Sequence, residues 1–134
     1  MFFIFTNDRY NDLIKESIAV RKHAYSPYSH YKVGAALLAA SGKIYTGCNF
    51  ENAAFGAGVC AERIALGNAI ASGERRFIAI CVCGKDNSIT PCGICRQSLT
   101  EFGDIDVICC DDNGQYKQYT LSQILPFSFQ SANL

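Results

Sequence analysis

Residues 60–95, CAERIALGNAIASGERRFIAICVCGKDNSITPCGIC, decide how this chain folds. Ile64, Ala65, Leu66, Ala69 and Ile70 fall at helical spacing, and Ser72-Gly73 supplies the stop, so a helix is predicted from Cys60 onward. The apolar run 77–83, FIAICVC, has the length and composition of a buried strand. Pro91 then takes a helix-opening position, which predicts a further helix over 92–102. Helix, strand and helix thus alternate at the centre of the chain, and cysteines stand at the opening of both helices.

Working outward gives the remaining elements. Upstream, Asp8 is the predicted cap of a first helix in which Tyr10, Leu13, Ile14, Ile18 and Arg21 fall close to helical spacing, and Ser26-Pro27-Tyr28-Ser29 breaks it. Stretches 33–39 and 43–48 pair as a hairpin about Ser41-Gly42, and a polar, glycine-bearing loop fills 49–59. Downstream, 105–110 is a fourth strand, Asn113-Gly114 marks a tight turn, and 116–120 is a fifth. Thr120 can cap a short last helix that Pro126 ends. The order αββαβαββα predicts one α/β domain over 1–134, with a mixed five-stranded sheet and helices on both faces. In open sheets of this kind ligands bind where helices follow strands, which is where both cysteine motifs lie.

Composition limits the partners. Twelve basic and twelve acidic side chains cancel, so there is no electrostatic footprint for a nucleic acid, and a small neutral substrate is expected. Met1-Phe2-Phe3-Ile4-Phe5 is apolar but too short for a signal peptide, and is expected to be a first strand or a plug beside the first helix. No stretch is long enough for a transmembrane helix, so no membrane association is expected. The default compartment is then the cytoplasm, where thiols stay reduced. Of the eight cysteines, Cys48, Cys81, Cys83, Cys109 and Cys110 end or alternate within strands and are expected to pack as small apolar residues.

Cys60, Cys92 and Cys95 remain. Three thiolates are one ligand short of a closed structural zinc site, and a catalytic zinc keeps three protein ligands with the fourth position open to water. Cys92 and Cys95 lie three apart on one helical turn, and every candidate ligand sits near a helix start, where the macrodipole favours the thiolate. Three thiolates leave the zinc site net negative, which Arg63, and secondarily Arg96, would offset. Glu62 lies two residues past Cys60, placed to exchange protons with the water without binding the metal. Alone, Glu62 would be an ordinary first-turn carboxylate; beside three cysteines it is a candidate acid/base. The layout matches the zinc-deaminase pattern H-x-E followed by P-C-x-x-C, with Cys60 where that pattern has His.

With these motifs the chain resembles the cytidine deaminase family, in its small homotetrameric branch. The likeness is carried by Tyr28-Ser29-His30-Tyr31-Lys32-Val33-Gly34-Ala35-Ala36, Gly47-Cys48-Asn49-Phe50-Glu51-Asn52-Ala53, Cys60-Ala61-Glu62-Arg63, Pro91-Cys92-Gly93-Ile94-Cys95-Arg96-Gln97 and Leu125-Pro126-Phe127-Ser128-Phe129. The resemblance implies a three-layer α/β/α fold and zinc-dependent deamination of cytidine and 2′-deoxycytidine in pyrimidine salvage, with one Zn²⁺ per chain. It implies that Asn49 and Glu51 hold the ribose, that the Ala61 backbone and Glu62 read the pyrimidine, and that Tyr31 lies over the base. It also implies a homotetramer in which the 52–55 loop, with Asn52, Ala53 and Phe55, and the aromatic Phe129 complete a neighbour's site. Phe55 departs from a frequent Tyr of the family, so a hydroxyl contact from that position is lost.

Three rival readings stay open on sequence grounds. Cys92-Gly93-Ile94-Cys95 between a strand and a helix also suits a thioredoxin-like dithiol protein, though Cys60-Ala61-Glu62 then has no use. A purely structural zinc site would need a fourth ligand, for which Cys48 is the candidate. A blasticidin-type aminonucleoside deaminase shares both zinc motifs, and Glu51 and Asn52 argue against it. Gly56-x-Gly58 lacks the Lys-Ser/Thr of a phosphate loop, and His23 and His30 are expected to be solvated.

Overall fold

The computed structural model describes residues 7–134. Helix α1 (Asn7–Arg21) is followed by strands β1 (Gly34–Ala39) and β2 (Ile44–Cys48), helix α2 (Ala61–Ala71) and strand β3 (Phe77–Cys83). Helix α3 (Gly93–Thr100), strands β4 (Asp106–Cys110) and β5 (Tyr116–Thr120) and the short helix α4 (Leu121–Ile124) complete the regular elements, with single 3-10 turns at Phe55–Ala57 and Ser131–Asn133. The five strands form one sheet in the order β2-β1-β3-β4-β5, parallel only between β3 and β4. The apolar stretch 1–5 lies outside the described residues.

Strand alternation builds a core on each face of the sheet. Ala35, Leu37, Ala39, Ile80, Val107 and Cys109 pack with Ala61, Ala65, Leu66 and Ala69 of α2, Leu99 of α3 and Leu121 of α4. Ala36, Leu38, Ala79, Cys81, Cys83, Ile108 and Cys110 pack with Leu13 and Ile14 of α1. Helices therefore cover both faces, as the sequence predicts. Cys81, Cys83, Cys109 and Cys110 are buried and free, and so serve as small packing residues, while Cys48 is half-buried. Ser17, with no predicted role, is fully buried in the α1 layer; its hydroxyl donates to the Ile14 carbonyl and lies 3.2 Å from Cys81 Sγ.

Three predicted details differ. Asp8, the predicted cap of the first helix, lies within α1. Helices α2 and α3 begin one residue later than predicted, because Cys60 and Cys92 are N-caps in extended backbone, and Pro91 stands before the cap and not at the first helical position. The β4–β5 turn is a five-residue loop and not a two-residue Asn-Gly turn: Cys110 pairs with Tyr116, and the Asp111 carboxylate accepts from the Asn113 and Gln115 N–H groups. Gly114 has φ +81°, the left-handed conformation that explains glycine there.

Gly47 fixes where α2 sits. A Cβ there would come within 2.5 Å of the Ala65 nitrogen and 2.6 Å of the Ala61 carbonyl oxygen, both backbone atoms of α2. Neither can swing aside as a side chain would. Gly47→Ala is expected to lower stability by about 1–3 kcal/mol, the usual cost of overpacking. It should also shift the N-terminus of α2, which carries Cys60 and Glu62. A urea unfolding midpoint equal to the parent's would show that the α2–β2 contact is not tight.

Candidate active site

Strands β2, β3 and β4 end at Cys48, Cys83 and Cys110, and β1 begins at Gly34, all in register at one end of the sheet. Beyond this end the chain passes from β2 through 49–60 into α2 and from β3 through 84–92 into α3. Sheet topology thus delivers two helix N-termini, each capped by a cysteine.

Cys60 has φ −72° and ψ 152°, and Cys92 has φ −66° and ψ 169°; neither sulfur accepts a capping backbone N–H from its own helix. A capping side chain normally accepts an N–H from the first turn, so both sulfurs are left for another task. The carbonyls open the helices instead: Cys60 O receives Ile64 N–H at 3.2 Å and Cys92 O receives Arg96 N–H at 2.9 Å. Cys95 lies in the first turn of α3 and is fully buried. The three Sγ atoms lie within 4.8 Å of one another, and Cys60 Sγ is 3.8 Å from Cys92 Sγ. Tetrahedral ligands at about 2.3 Å from zinc stand about 3.8 Å apart. The donor set therefore fits zinc in chemistry and spacing. Cys48 lies outside the cluster, which is the only such group of metal-binding side chains among the described residues.

Charge in this cluster is not evenly spread. A hydrogen bond from Cys95 and the Arg63 guanidinium lower the Cys60 thiol well below its ordinary range. Arg63 NH2 donates to Cys60 Sγ at 3.8 Å, and Arg63 Nε is buried with no partner. Three thiolates around Zn²⁺ would carry one net negative charge, and Arg63 is the cation within reach of it. Arg96 instead donates its guanidinium hydrogens to the Pro91 and Ile124 carbonyls and to Thr90 Oγ1, neutral acceptors that leave its positive charge in place.

Glu62 is 4% exposed, in the first turn of α2. Burial, and secondarily the Cys60 thiolate, push its carboxyl up to about 7, against the pull of its own N–H and of Arg63. A surface carboxylate that merely suits the helix dipole would not be desolvated in this way.

The other predicted residues lie on the same segments. Asn49 bridges to the chain before β1: its Oδ1 accepts from Val33 N at 2.8 Å and its Nδ2 donates to the Tyr31 carbonyl at 2.9 Å. Glu51 Oε1 accepts from the Tyr28 and Ser29 N–H groups at 2.9 and 3.1 Å, and its Oε2 from the Ser29 hydroxyl. These bonds, the Ser29 hydroxyl foremost, hold the Glu51 carboxyl below its ordinary range. A cleft of about 400 Å³ is lined by Tyr28, Ser29, Glu51, Asn52, Phe55 and Gly58, and none of the three cysteines lines it. Tyr31 is 38% exposed and precedes β1. Asn52, Ala53 and Phe55 are all exposed, and Phe55 meets Tyr28 edge-on with ring centroids 5.8 Å apart. Phe127 is fully exposed and Phe129 partly so, and Gln97 Nε2 ties the Phe129 carbonyl to α3 at 2.9 Å. His23 and His30 are exposed, as expected.

The cytidine and deoxycytidylate deaminase zinc-binding region matches residues 7–111. The chain belongs to this deaminase family. It is 42% identical over 125 residues to a cytidine deaminase of Sporosarcina psychrophila, covering 91% of this chain and 92% of that protein. The crystal structure of cytidine deaminase from Burkholderia pseudomallei superposes with a TM-score of 0.84 at 42% identity, covering 90% of this chain and 98% of the other. That from Mycobacterium tuberculosis gives a TM-score of 0.75 at 32% identity, with 90% and 96% covered. As a deaminase of this family the chain is a zinc enzyme, and the grouped Cys60, Cys92 and Cys95 are the side chains positioned for the metal.

Proposed function

We propose that this chain deaminates cytidine and 2′-deoxycytidine hydrolytically to the uridine forms, releasing ammonia, with one Zn²⁺ per chain held by Cys60, Cys92 and Cys95. The observation that carries this reading is a buried carboxylate, Glu62, two residues from one of three sulfurs grouped within 4.8 Å. Relatives named cytidine deaminase over nine-tenths of the chain support the substrate. When bound, Zn²⁺ supplies a Lewis acid that brings the pKa of a water in its open position to about 7.

The chain's own groups do the rest. Glu62 accepts one proton of the attacking water and passes it to the ring nitrogen. It then takes the remaining proton from the new hydroxyl on the ring carbon and gives it to the amine, which leaves as ammonia as the carbonyl forms. In the metal-free chain burial raises the Glu62 carboxyl to about 7, the direction that favours holding a proton between transfers. Arg63 offsets the charge of the thiolates. Asn49 and Glu51 hold the ribose hydroxyls; Glu51, fixed by Tyr28 and Ser29, stays ionised and keeps lone pairs free to accept. The Ala61 backbone and Glu62 read the pyrimidine, and Tyr31 covers the base.

The active form in this reading is a homotetramer in which Asn52, Ala53, Phe55 and Phe129 complete neighbouring sites. Phe55 at 80% and Phe129 at 59% exposure support it, because large apolar rings left bare on one protomer mark an interface. A nucleoside and not a nucleic acid suits the balanced charge. No described helix is long and apolar enough to cross a membrane. Cytoplasmic pyrimidine salvage accords with eight free cysteines.

The test is ultraviolet absorbance of cytidine mixed with purified protein, with zinc quantified in the same preparation. Conversion with about one zinc per chain is expected. Full zinc without conversion would move the substrate to another amino-heterocycle, blasticidin S first. Conversion that persists after the metal is stripped would overturn the mechanism.

A further inference from the structure

Arg96 directly follows Cys95, and its side chain reaches two other segments. Nε donates to the Pro91 carbonyl at 2.6 Å, NH2 to Thr90 Oγ1 at 2.8 Å, and NH1 to the Ile124 carbonyl at 2.6 Å. Its backbone N–H donates to the Cys92 carbonyl at 2.9 Å. One residue thus holds Cys92 from both sides: through its own carbonyl and through the two residues before it. This matters most for Cys92, which is the exposed member of the trio and caps α3 at the end of an irregular loop.

The third acceptor points elsewhere. Ile124 is the last residue of α4, and the chain continues from it to Phe127 and Phe129. Gln97, next to Arg96, holds the Phe129 carbonyl at 2.9 Å. The first turn and a half of α3 therefore carries a sulfur, the fork that fixes another sulfur's loop, and the anchors of the C-terminal tail.

The geometry points to Arg96 as a positioning residue that couples the Cys92 ligand to the C-terminal tail, so that the fork setting Cys92 for zinc is also the fork anchoring the end of α4. It rests on the zinc-deaminase reading for the metal. A planar guanidinium presents its donors in fixed directions, and the ammonium of lysine cannot meet three such acceptors at once. Losing it leaves the Pro91 and Ile124 carbonyls without a charged donor, and each segment gains the freedom the other had been denied. Coupling of this kind is reciprocal: loosening the tail anchor weakens zinc, and removing zinc loosens the tail.

The test uses the zinc-loaded protein at a temperature well below unfolding, with Arg96→Lys, Arg96→Gln and Thr90→Val. Zinc affinity is read by competition with a chromogenic chelator, and local opening by amide hydrogen exchange. Both Arg96 variants are expected to bind zinc about 10–100-fold more weakly, the usual effect of losing support behind a metal ligand. Exchange in residues 121–130 should rise about tenfold, as for loss of one charge-assisted hydrogen bond, with α1 unchanged. Thr90→Val should weaken zinc in the same direction by less.

Unchanged zinc affinity in Arg96→Lys overturns the proposal. So does weakened zinc with an unaltered tail, because the coupling is then absent. If α1 also exchanges faster in the Arg96 variants, Thr90→Val decides, and native zinc affinity there overturns the proposal. None of these readouts uses substrate. A parent protein that holds zinc but leaves cytidine unchanged defeats the functional reading alone.

Discussion

Glu62→Gln is expected to leave the zinc in place and cut turnover at least about 10³-fold, within the range that one positioned acid/base supplies. The change keeps the side chain's size and removes its basicity. Zinc should stay, because the grouped sulfurs belong to Cys60, Cys92 and Cys95 and not to Glu62. A loss of this size is about 4 kcal/mol of barrier. The bland alternative, a carboxylate serving only the α2 dipole, is worth about 0.3–1 kcal/mol of stability and predicts normal turnover. Burial to 4% exposure weighs against that alternative, since the dipole's benefit is smaller than the cost of desolvating the charge.

The same variant has a pH signature in the metal-free protein. Burial raises the Glu62 carboxyl from 4.5 to about 7, so the folded chain binds that proton more tightly than the unfolded chain. Its contribution to stability is full below 4.5 and is lost as the pH climbs through about 7. Metal-free Glu62→Gln should therefore lose less stability than its parent between these values, measured by urea midpoints across the range. Normal turnover in the zinc-loaded variant, or identical pH profiles in the metal-free pair, would assign the burial of Glu62 no chemical purpose.

What was legible in the sequence was what short-range chemistry dictates. The bounds of β5 come out as predicted, since Thr120 ends the strand and caps α4 within a few residues, in a reciprocal box with Gln123. The zinc trio was legible because a CxxC pair on one turn and a Cys-x-Glu at a helix start are local patterns. The helix starts were misplaced by one residue because cysteine is an unusual cap, chosen here for its sulfur and not for its capping strength. The contacts of Arg96 and Ser17 were not legible, for the opposite reason. Their partners, Ile124 at 28 residues' remove and Cys81 at 64, come together only through the strand order β2-β1-β3-β4-β5. Asn49 shows the same limit: composition marks it as a polar loop residue, and only the register of β1 beside β2 reveals that its amide also secures Val33 and Tyr31.

Cys95→Ala is expected to abolish zinc binding and reduce deamination to the uncatalysed background. Cys95 is the fully buried member of the trio, so no solvent-exposed donor can reach its position, and alanine leaves two sulfurs where the metal requires three. The domain itself should survive, with lower stability, because its two apolar cores on opposite faces of the sheet do not depend on the metal. This separates it from small zinc modules that unfold without their ion. Cys48→Ala is the matched control: a half-buried cysteine outside the cluster, whose replacement should leave zinc content and turnover at parental values. Zinc by atomic absorption, circular dichroism and cytidine turnover on the two variants decide the matter together. Stoichiometric zinc in Cys95→Ala would remove it from the ligand set. Zinc lost from Cys48→Ala would restore the four-sulfur structural site, and activity that survives chelation of the parent would restore the dithiol reading.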